Sequence, residues 1–184
     1  GSGFGSSSET TRLTIGGRVA ELAYVSPNQI NAQVPGEAGL GRRQMVVATP
    51  FGSSVPYEIT LASRQPELLA PPSFKIEGRQ YVAAVLSDGA YALPSGSISN
   101  ASRPARRGEA ITLIGSGFGD VAGSVEFFMG DRQADVAYAG KAPGSGGLLQ
   151  FDIVVPEGAE RGTLPLTFTQ NGAKGSQTLY TVVQ

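Results

Sequence analysis

The residue types that most often carry catalysis are missing from this chain of 184 residues. It contains no His, the usual general base and the commonest metal ligand, and no Cys, so thiolate chemistry is absent. The lysines are Lys75, Lys141 and Lys174, and none of them follows a serine by three residues, so no Ser-x-x-Lys arrangement exists. No spacing singles out a pair of carboxylates for acid–base work. We therefore expect no catalytic residues and no enzyme activity.

Neither a metal site nor a cofactor site is predicted. Asp120, Asp131 and Asp135 are the candidate calcium ligands, but they do not follow the D-x-[DN]-x-[DN]-G spacing, and calcium needs six or more oxygens. Asp120 and Asp131 are interpreted as turn residues. The stretch GSGFGD (115–120) lacks the last glycine of G-x-G-x-x-G, and no helical segment follows it. It is typical of a turn between strands rather than of a phosphate site.

Basic residues form two short clusters. They are Arg42 and Arg43, and Arg103, Arg106 and Arg107. Two interpretations are open: a patch for an acidic partner, or solvated arginines that pair with Glu109 and its neighbours, which is the favoured one. The net charge is 14 − 15 = −1, and no aromatic residues are interleaved with the arginines. Nucleic acid is therefore not expected as a partner.

Tyrosines stand at similar places in the two halves of the sequence. Tyr24 is matched with Tyr138, and Tyr57 with Tyr180. Aromatic residues that recur in a repeat usually pack in a core or at its rim, and the alternative is a platform for carbohydrate. Asn100-Ala101-Ser102 is an N-glycosylation sequon on a predicted loop, a short motif with a high rate of chance matches.

The composition favours many short strands. The chain is 40% hydrophobic and 16% charged, with 26 Gly and 12 Pro, and it has no Ala-, Leu-, Glu- and Lys-rich helical stretches. No apolar run approaches the roughly 18 residues that span a bilayer, so no membrane-spanning segment is expected.

An internal repeat gives the architecture. GSGFG occurs at residues 1–5 and again at 115–119, and three further segments follow each occurrence in the same order. They are LTIGGRVAELAY (13–24) with EFFMGDRQADVAY (126–138), NQINAQVP (28–35) with LLQFDIVVP (148–156), and GRRQMVVATPFGSSVPYEITL (41–61) with RGTLPLTFTQNGAKGSQTLYTVV (161–183). About six or seven short strands per copy predict an immunoglobulin-like sandwich.

We therefore predict an all-β protein with two immunoglobulin-like sandwiches in tandem. The first copy covers residues 1–63, a Pro-rich connector covers 64–107, and the second copy covers 108–184. Within the connector, QYVAAVL (80–86) and AYAL (90–93) flank Ser87-Asp88-Gly89, which is typical of a β-hairpin.

Several stretches carry a resemblance to a known family. They are GSGFG, IGGRVAELAYVSPNQINAQVP (15–35), MVVATPFG (45–52), and FKIEGRQYVAAVLSDGAYALPSGSISNASRPARRGEAITLIGSGFG (74–119). The sequence resembles IPT/TIG domains, and nearly its whole length is similar to the tandem module at the C-terminal end of large secreted acidobacterial proteins. The resemblance implies an extracellular, non-catalytic module.

The two copies differ at one strand. EAITLI (109–114) precedes the glycine cluster of the second copy, and we expect Ile111 and Leu113 to point into its core, whereas no such segment precedes Gly1. Three interpretations are open. The strand lies upstream in a longer protein, or the connector, for example QYVAAVL, folds back over the gap, or another subunit donates a strand.

Together these observations predict a secreted or cell-surface structural or adhesion module. Its expected partner is another protein or a further copy of itself, and no cofactor is expected. One alternative is a filament subunit that polymerises head to tail by strand donation into the incomplete first sandwich. The other alternative is a carbohydrate-binding module.

Overall fold

The computed structural model describes residues 3–98, 101–119, 125–144 and 147–184. The chain forms two compact units, Gly1–Ser63 with Gly144–Gly147, and Arg64–Pro143 with Leu148–Gln184. Their regular structure is strand, apart from two short 3-10 turns at Gly36–Ala38 and Pro72–Phe74. The predicted all-β, immunoglobulin-like class is confirmed. No helix among the described residues is long and apolar enough to cross a membrane.

The first unit contains two small sheets. Its strands are β1 (Arg12–Ile15), β2 (Arg18–Val19), β3 (Glu21–Ser26), β4 (Gln29–Gln33), β5 (Gly41–Thr49), β6 (Gly52–Ser53) and β7 (Tyr57–Leu61). One sheet has the order β2-β1-β5-β6, with β7 also paired to β5, and the other is the β3-β4 hairpin. Leu13, Ile15, Ala20 and Ala38 are the buried residues of its core cluster.

The second unit has more strands and a larger core. Its strands are β8 (Glu67–Leu68), β9 (Lys75–Ile76), β10 (Arg79–Gln80), β11 (Val85–Leu86), β12 (Tyr91–Ala92), β13 (Ser102–Arg103), β14 (Ala110–Ser116), β15 (Val125–Met129), β16 (Arg132–Lys141), β17 (Leu149–Val154), β18 (Gly162–Gln170), β19 (Ala173–Lys174) and β20 (Leu179–Val183). Strand β14 pairs with β17, β11 and β8, while β16 pairs with both β15 and β17.

The same strand registers appear in both units. The β3–β4 pair has an irregularity between Leu22 and Tyr24, and the β16–β17 pair has one between Val136 and Tyr138. Tyr24 lies opposite Asn31, and Tyr138 lies opposite Asp152. The two tyrosines therefore occupy equivalent positions, each directly after an extra residue that reverses the alternation of side chains.

The second pair of tyrosines is not equivalent, which corrects the sequence match. Tyr57 lies opposite Met45 in the first unit, whereas Leu179 lies opposite Leu166 in the second. Met45 lies opposite Ile15 and Leu166 lies opposite Met129, and Ile15 and Met129 are equivalent in the repeat. Tyr57 therefore corresponds to Leu179 and not to Tyr180. Aligning Tyr57 with Tyr180 displaces the alignment of β7 and β20 by one residue. A displacement of one residue exchanges the two faces of a strand.

Strand β14 shows why the second core is well filled. Ile111 and Leu113 alternate with half-exposed neighbours and are 1% and 0% exposed, which confirms the predicted inward orientation. They lie opposite Ile153 and Phe151 of β17, which are also buried. The period of two places one apolar row inside the sandwich.

The connector residues contribute to this core. Val82, Ala84 and Leu86 belong to the same buried cluster as Ile111 and Leu113. Val85 pairs with Tyr91, and the Gly89 amide donates to the Leu86 carbonyl, so the predicted hairpin is present. The interpretation that QYVAAVL covers the gap of the first copy is wrong, because these residues pack inside the second unit.

The GSGFG cluster of the second unit (115–119) places a phenylalanine in the core. Phe118 is fully buried against Phe151 and Phe168, with ring centroids 4.8 and 5.2 Å away, and its carbonyl accepts a 2.7 Å bond from Gln170. Gly117 has φ +74°, and a Cβ there would clash with the Gln65 carbonyl oxygen, so only glycine fits. Residues 120–124, which follow the cluster, lie outside the described residues, and the next described element is strand β15.

Removal of the equivalent phenylalanines Phe4 and Phe118 should lower the free energy of unfolding of the two units by different amounts. Phe118→Ala should lower the free energy of unfolding of the second unit by about 3–5 kcal/mol, as a large cavity in a packed core does. Phe4 is only half-buried, so Phe4→Ala should cost the first unit about 1–2 kcal/mol. Urea unfolding followed through amide NMR signals from each unit separates the two effects. Equal losses would show that the first core is as well packed as the second.

Candidate functional site

Arg103 is the centre of the main ion-pair network in the described part of the chain. Its Nη2 donates to Glu109 Oε1 at 2.6 Å and its Nη1 to Glu109 Oε2 at 3.0 Å, a two-pronged contact. Its Nε donates to Asp88 Oδ2 at 2.8 Å. The backbone amide of Arg106 adds a bond to Glu109 Oε2 at 2.9 Å. The predicted pairing of Arg103 with Glu109 is therefore present.

The network favours the ionised form of its two carboxylates, Asp88 and Glu109. The side-chain hydrogen bond from Arg103 lowers the pKa of Glu109, and the Arg106 backbone bond adds to this effect. The same guanidinium lowers the pKa of Asp88, and the two carboxylates raise the pKa of Arg103. These groups bond to each other and tie the hairpin loop to the start of β14, so the network is structural.

The side chains of the other predicted basic residues do not join this network. Arg42 pairs with Glu58 at 3.4 Å, both exposed, and Arg43 Nε donates to the Ala38 carbonyl at 2.6 Å. Arg106 and Arg107 have exposed side chains. Exposed arginines with an intra-unit partner contribute little to stability and do not make a concentrated positive surface.

The acidic candidates do not come together as a metal site. Asp131 lies in the β15–β16 turn and contacts Arg132 at 3.5 Å, while Asp135 is an exposed residue of β16. Asp120 and the sequon residue Asn100 lie outside the described residues. Within residues 3–98, 101–119, 125–144 and 147–184, no group of three or more acidic residues is placed to hold a metal ion.

A small groove in the second unit has a mixed lining of apolar and polar residues. Its volume is about 260 Å³, and its lining includes Leu68, Leu69, Ile114, Leu148 and Gln177. Gln177 exchanges two hydrogen bonds with the backbone of Leu68, at 2.7 and 3.0 Å, and so completes the edge of β8. We assign no ligand to this groove.

The open edge of β4 is the most distinctive feature of the first unit. Strand β4 pairs with β3 on one side, and no described strand pairs with its other side. In the second unit, the equivalent strand β17 pairs with β16 on one side and with β14 on the other. An unpaired edge offers a row of backbone donors and acceptors to another strand.

The apolar residues beside this edge are incompletely covered. Ile30 and Ala32 of β4 point toward the core of the first unit, together with Leu22 of β3, and all three are only half-buried. Their counterparts Phe151 and Ile153 in β17 are 0% exposed. The difference follows from β14, which covers β17 and has no counterpart among the described residues of the first unit.

The opposite face of the same hairpin is polar. Gln29, Asn31 and Gln33 alternate with Ile30 and Ala32 and are exposed, and Tyr24 lies opposite Asn31 with 50% of its surface exposed. The sequence match singled out Tyr24 but not its amide neighbours. The alternating run QINAQ (29–33), polar and apolar in turn, was the available signal for them.

The remaining tyrosines have different surroundings. Tyr57 is 65% exposed at one end of β7, while Tyr180 packs against Tyr81 and lies under the Arg79 guanidinium at 5.8 Å. Tyr138 is 43% exposed, and its hydroxyl donates to the Lys141 carbonyl at 3.2 Å. The four tyrosines therefore do not form one aromatic surface within either unit.

One protein-family model matches the first unit. Residues 1–62 match the IPT/TIG domain family. A search of curated proteins finds no significant match. The match supports an immunoglobulin-like TIG module in the first unit.

Two solved structures illustrate the wider likeness. One is SGBP-B of the Bacteroides ovatus mixed-linkage glucan utilization locus, in complex with a mixed-linkage heptasaccharide, with TM-score 0.37, 13% identity and coverage of 95% of this chain and 37% of that one. The other is SGBP-B from a complex xyloglucan utilization locus in Bacteroides uniformis, with TM-score 0.36, 15% identity and coverage of 88% and 35%. The chain spans little more than a third of either protein.

The Arg103–Glu109 pair should give the second unit an acid-sensitive stability. Because the pKa of Glu109 is lowered in the folded state, the stabilisation is complete above its ordinary value of 4.5 and is lost as the pH falls through the lowered value. Glu109→Gln should reduce the free energy of unfolding near neutral pH by about 2 kcal/mol and should weaken its decline in acid.

Urea unfolding at a series of pH values measures this effect. Glu160→Gln is a matched control, since Glu160 is exposed and lies in the same unit. If Glu109→Gln and the wild type lose stability with the same dependence on pH, the ion pair does not carry the acid sensitivity.

Proposed function

We propose that this chain is a non-catalytic, extracellular module that docks another protein by accepting a β-strand at the open edge of β4. The observation that carries the proposal is that the equivalent edge in the second unit is paired. There, β14 lies antiparallel along β17 over six residue pairs, from Ala110–Val154 to Gly115–Leu149. Strand addition of this kind uses backbone hydrogen bonds for affinity and alternate side chains for specificity.

The energetic reason lies in the half-covered apolar side chains of the first unit. In the second unit, β14 buries Ile111 and Leu113 against β17, and full burial of such a side chain contributes about 1.5–3 kcal/mol. An incoming strand would place two apolar residues beside Ile30 and Ala32 in the same way. It would also satisfy the free backbone groups of β4.

The occupant we propose is an extended segment of a second protein with the pattern apolar–Thr–apolar. The β3–β4 and β16–β17 registers match Ala32 with Ile153, Asn31 with Asp152 and Ile30 with Phe151. The partners of those three β17 residues in β14 are Ile111, Thr112 and Leu113. Because Thr112 Oγ1 donates to Asp152 Oδ1 at 2.7 Å, a Thr opposite Asn31 would have an equivalent side-chain acceptor.

The non-catalytic and extracellular parts of the proposal rest on other observations. The absence of His and Cys from the sequence removes the commonest nucleophile–base pairs. The resemblance of the sequence to modules of secreted proteins supports a place outside the cell, and the match of residues 1–62 to the IPT/TIG family supports the fold of the module.

A synthetic peptide with the sequence of residues 109–116, EAITLIGS, tests the docking site on the full chain. We expect it to shift the amide NMR signals of β4 and of the first core while those of β17 stay unchanged. At a free concentration about 100 times its Kd, the peptide should stabilise the first unit by about 2.7 kcal/mol.

Two altered peptides are the controls. The peptide with Ile111→Asp and Leu113→Asp should not bind, because a charge would enter the apolar core. The peptide with Thr112→Ala should bind several-fold more weakly. Failure of EAITLIGS to perturb β4, or equal binding by the Asp peptide, contradicts the proposal. If light scattering shows that the chain alone grows in mass with concentration, copies of the chain supply the strand to one another instead.

A further inference from the structure

The polar face of the β3–β4 hairpin carries a set of side chains that recurs in the second unit. In the first unit, Gln29 Nε2 donates to Asn31 Oδ1 at 2.7 Å, and Tyr24 lies directly opposite Asn31. We call Tyr24, Gln29 and Asn31 the tyrosine–amide triad. All three side chains are exposed and uncharged.

The second unit repeats this arrangement with one exchange of residue type. Gln150 Nε2 donates to Asp152 Oδ1 and Oδ2 at 2.9 and 3.0 Å, and Tyr138 lies directly opposite Asp152. Tyr, Gln and an amide or acid therefore recur at three equivalent positions of the two units.

The polar groups of the second set are already occupied within the unit. Thr112 donates to Asp152 Oδ1 at 2.7 Å, and the Tyr138 hydroxyl donates to the Lys141 carbonyl at 3.2 Å. The Tyr138 ring also lies tightly over Gly140, where a Cβ would clash with the phenol. This second set is therefore a closed version of the triad.

The triad of the first unit keeps its hydrogen-bonding capacity free. No described residue bonds the Tyr24 hydroxyl, and the Gln29–Asn31 bond uses one N–H and one oxygen. One N–H and the Oε1 of Gln29 and both N–H groups of Asn31 stay available, so the triad can both donate and accept. The ring of Tyr24 stands beside these groups, half-exposed.

From this geometry we propose that the tyrosine–amide triad binds a neutral carbohydrate. Sugar hydroxyls both donate and accept, which matches amide side chains, and the C–H face of a pyranose ring stacks on an aromatic ring. The neutral class is favoured because the triad has no charge and Glu21, which lies opposite Gln33 on the same face, disfavours acidic sugars. Ile30 and Ala32, which would contact the apolar residues of a docked strand, lie on the other face, whereas Asn31 is shared with the strand-docking edge.

A panel of soluble oligosaccharides titrated against the full chain tests this proposal. The panel contains neutral gluco-, xylo-, manno- and galacto-oligomers and one acidic galacturonate oligomer. We expect at least one neutral oligomer, and not the acidic one, to bind and to shift the NMR signals of residues 21–33. Tyr24→Ala should weaken that binding about tenfold, the factor that corresponds to 1.4 kcal/mol, and Asn31→Ala should weaken it several-fold.

Tyr57→Ala is the matched control, because Tyr57 is an exposed tyrosine of the same unit outside the triad. Its binding should equal that of the wild type. Near-identical amide spectra for Tyr24→Ala and the wild type show that the fold is intact. No binding by any neutral oligomer, equal loss in Tyr57→Ala, or stronger binding of the galacturonate oligomer would overturn the proposal. Binding of the strand peptide is measured independently and does not decide this test.

Discussion

The pairing of β14 with β17 is the interaction that separates a complete sandwich from an open one in this chain. It satisfies the backbone edge of β17 and also brings Ile111 and Leu113 into the core, where both are almost fully buried. The first unit shares the register of the neighbouring hairpin but has no described strand in this place. Its side chains Leu22, Ile30 and Ala32 are consequently half-exposed. The proposed docking of an extended segment rests on this edge and this core being open together.

In the second unit, further elements pack around the paired strands β14 and β17. Residues of the connector, among them Val82, Ala84 and Leu86, extend the core beyond β14. Arg103 then ties the hairpin loop to the start of β14 through Asp88 and Glu109. Strand β14 is thus stabilised by pairing along both of its edges and by the ion pair at its start. Nothing comparable supports β4 in the described part of the first unit.

Much of this organisation was readable from the sequence because it depends on local patterns. The alternation in EAITLI predicted two buried residues, and the Asp-Gly pair predicted the connector hairpin, since both are decided by a few neighbouring residues. The equivalence of Tyr24 and Tyr138 followed from motif order. The equivalence of Tyr57 and Tyr180 did not hold, because the register of β7 and β20 is decided by their partners β5 and β18 and not by the position of one letter.

The location of the connector and the nature of the site depend on long-range contacts. No local pattern near QYVAAVL predicts that Val82 and Ala84 belong to the same core as residues of β14 and β17. The Pro-rich surroundings of this stretch indicate a linker instead. The candidate site could be predicted only in part. Tyr24 stood out as an aromatic residue, whereas Gln29 and Asn31 gain meaning only when the hairpin places them on its face.

Amide hydrogen exchange of the full chain shows whether β4 has one free edge. If it has, alternate amides of residues 29–33 should exchange far faster than their neighbours, because they point away from β3. The amides of residues 150–154, paired on both sides, should all be protected. Uniform protection along 29–33, equal to that along 150–154, would show that the edge of β4 is closed.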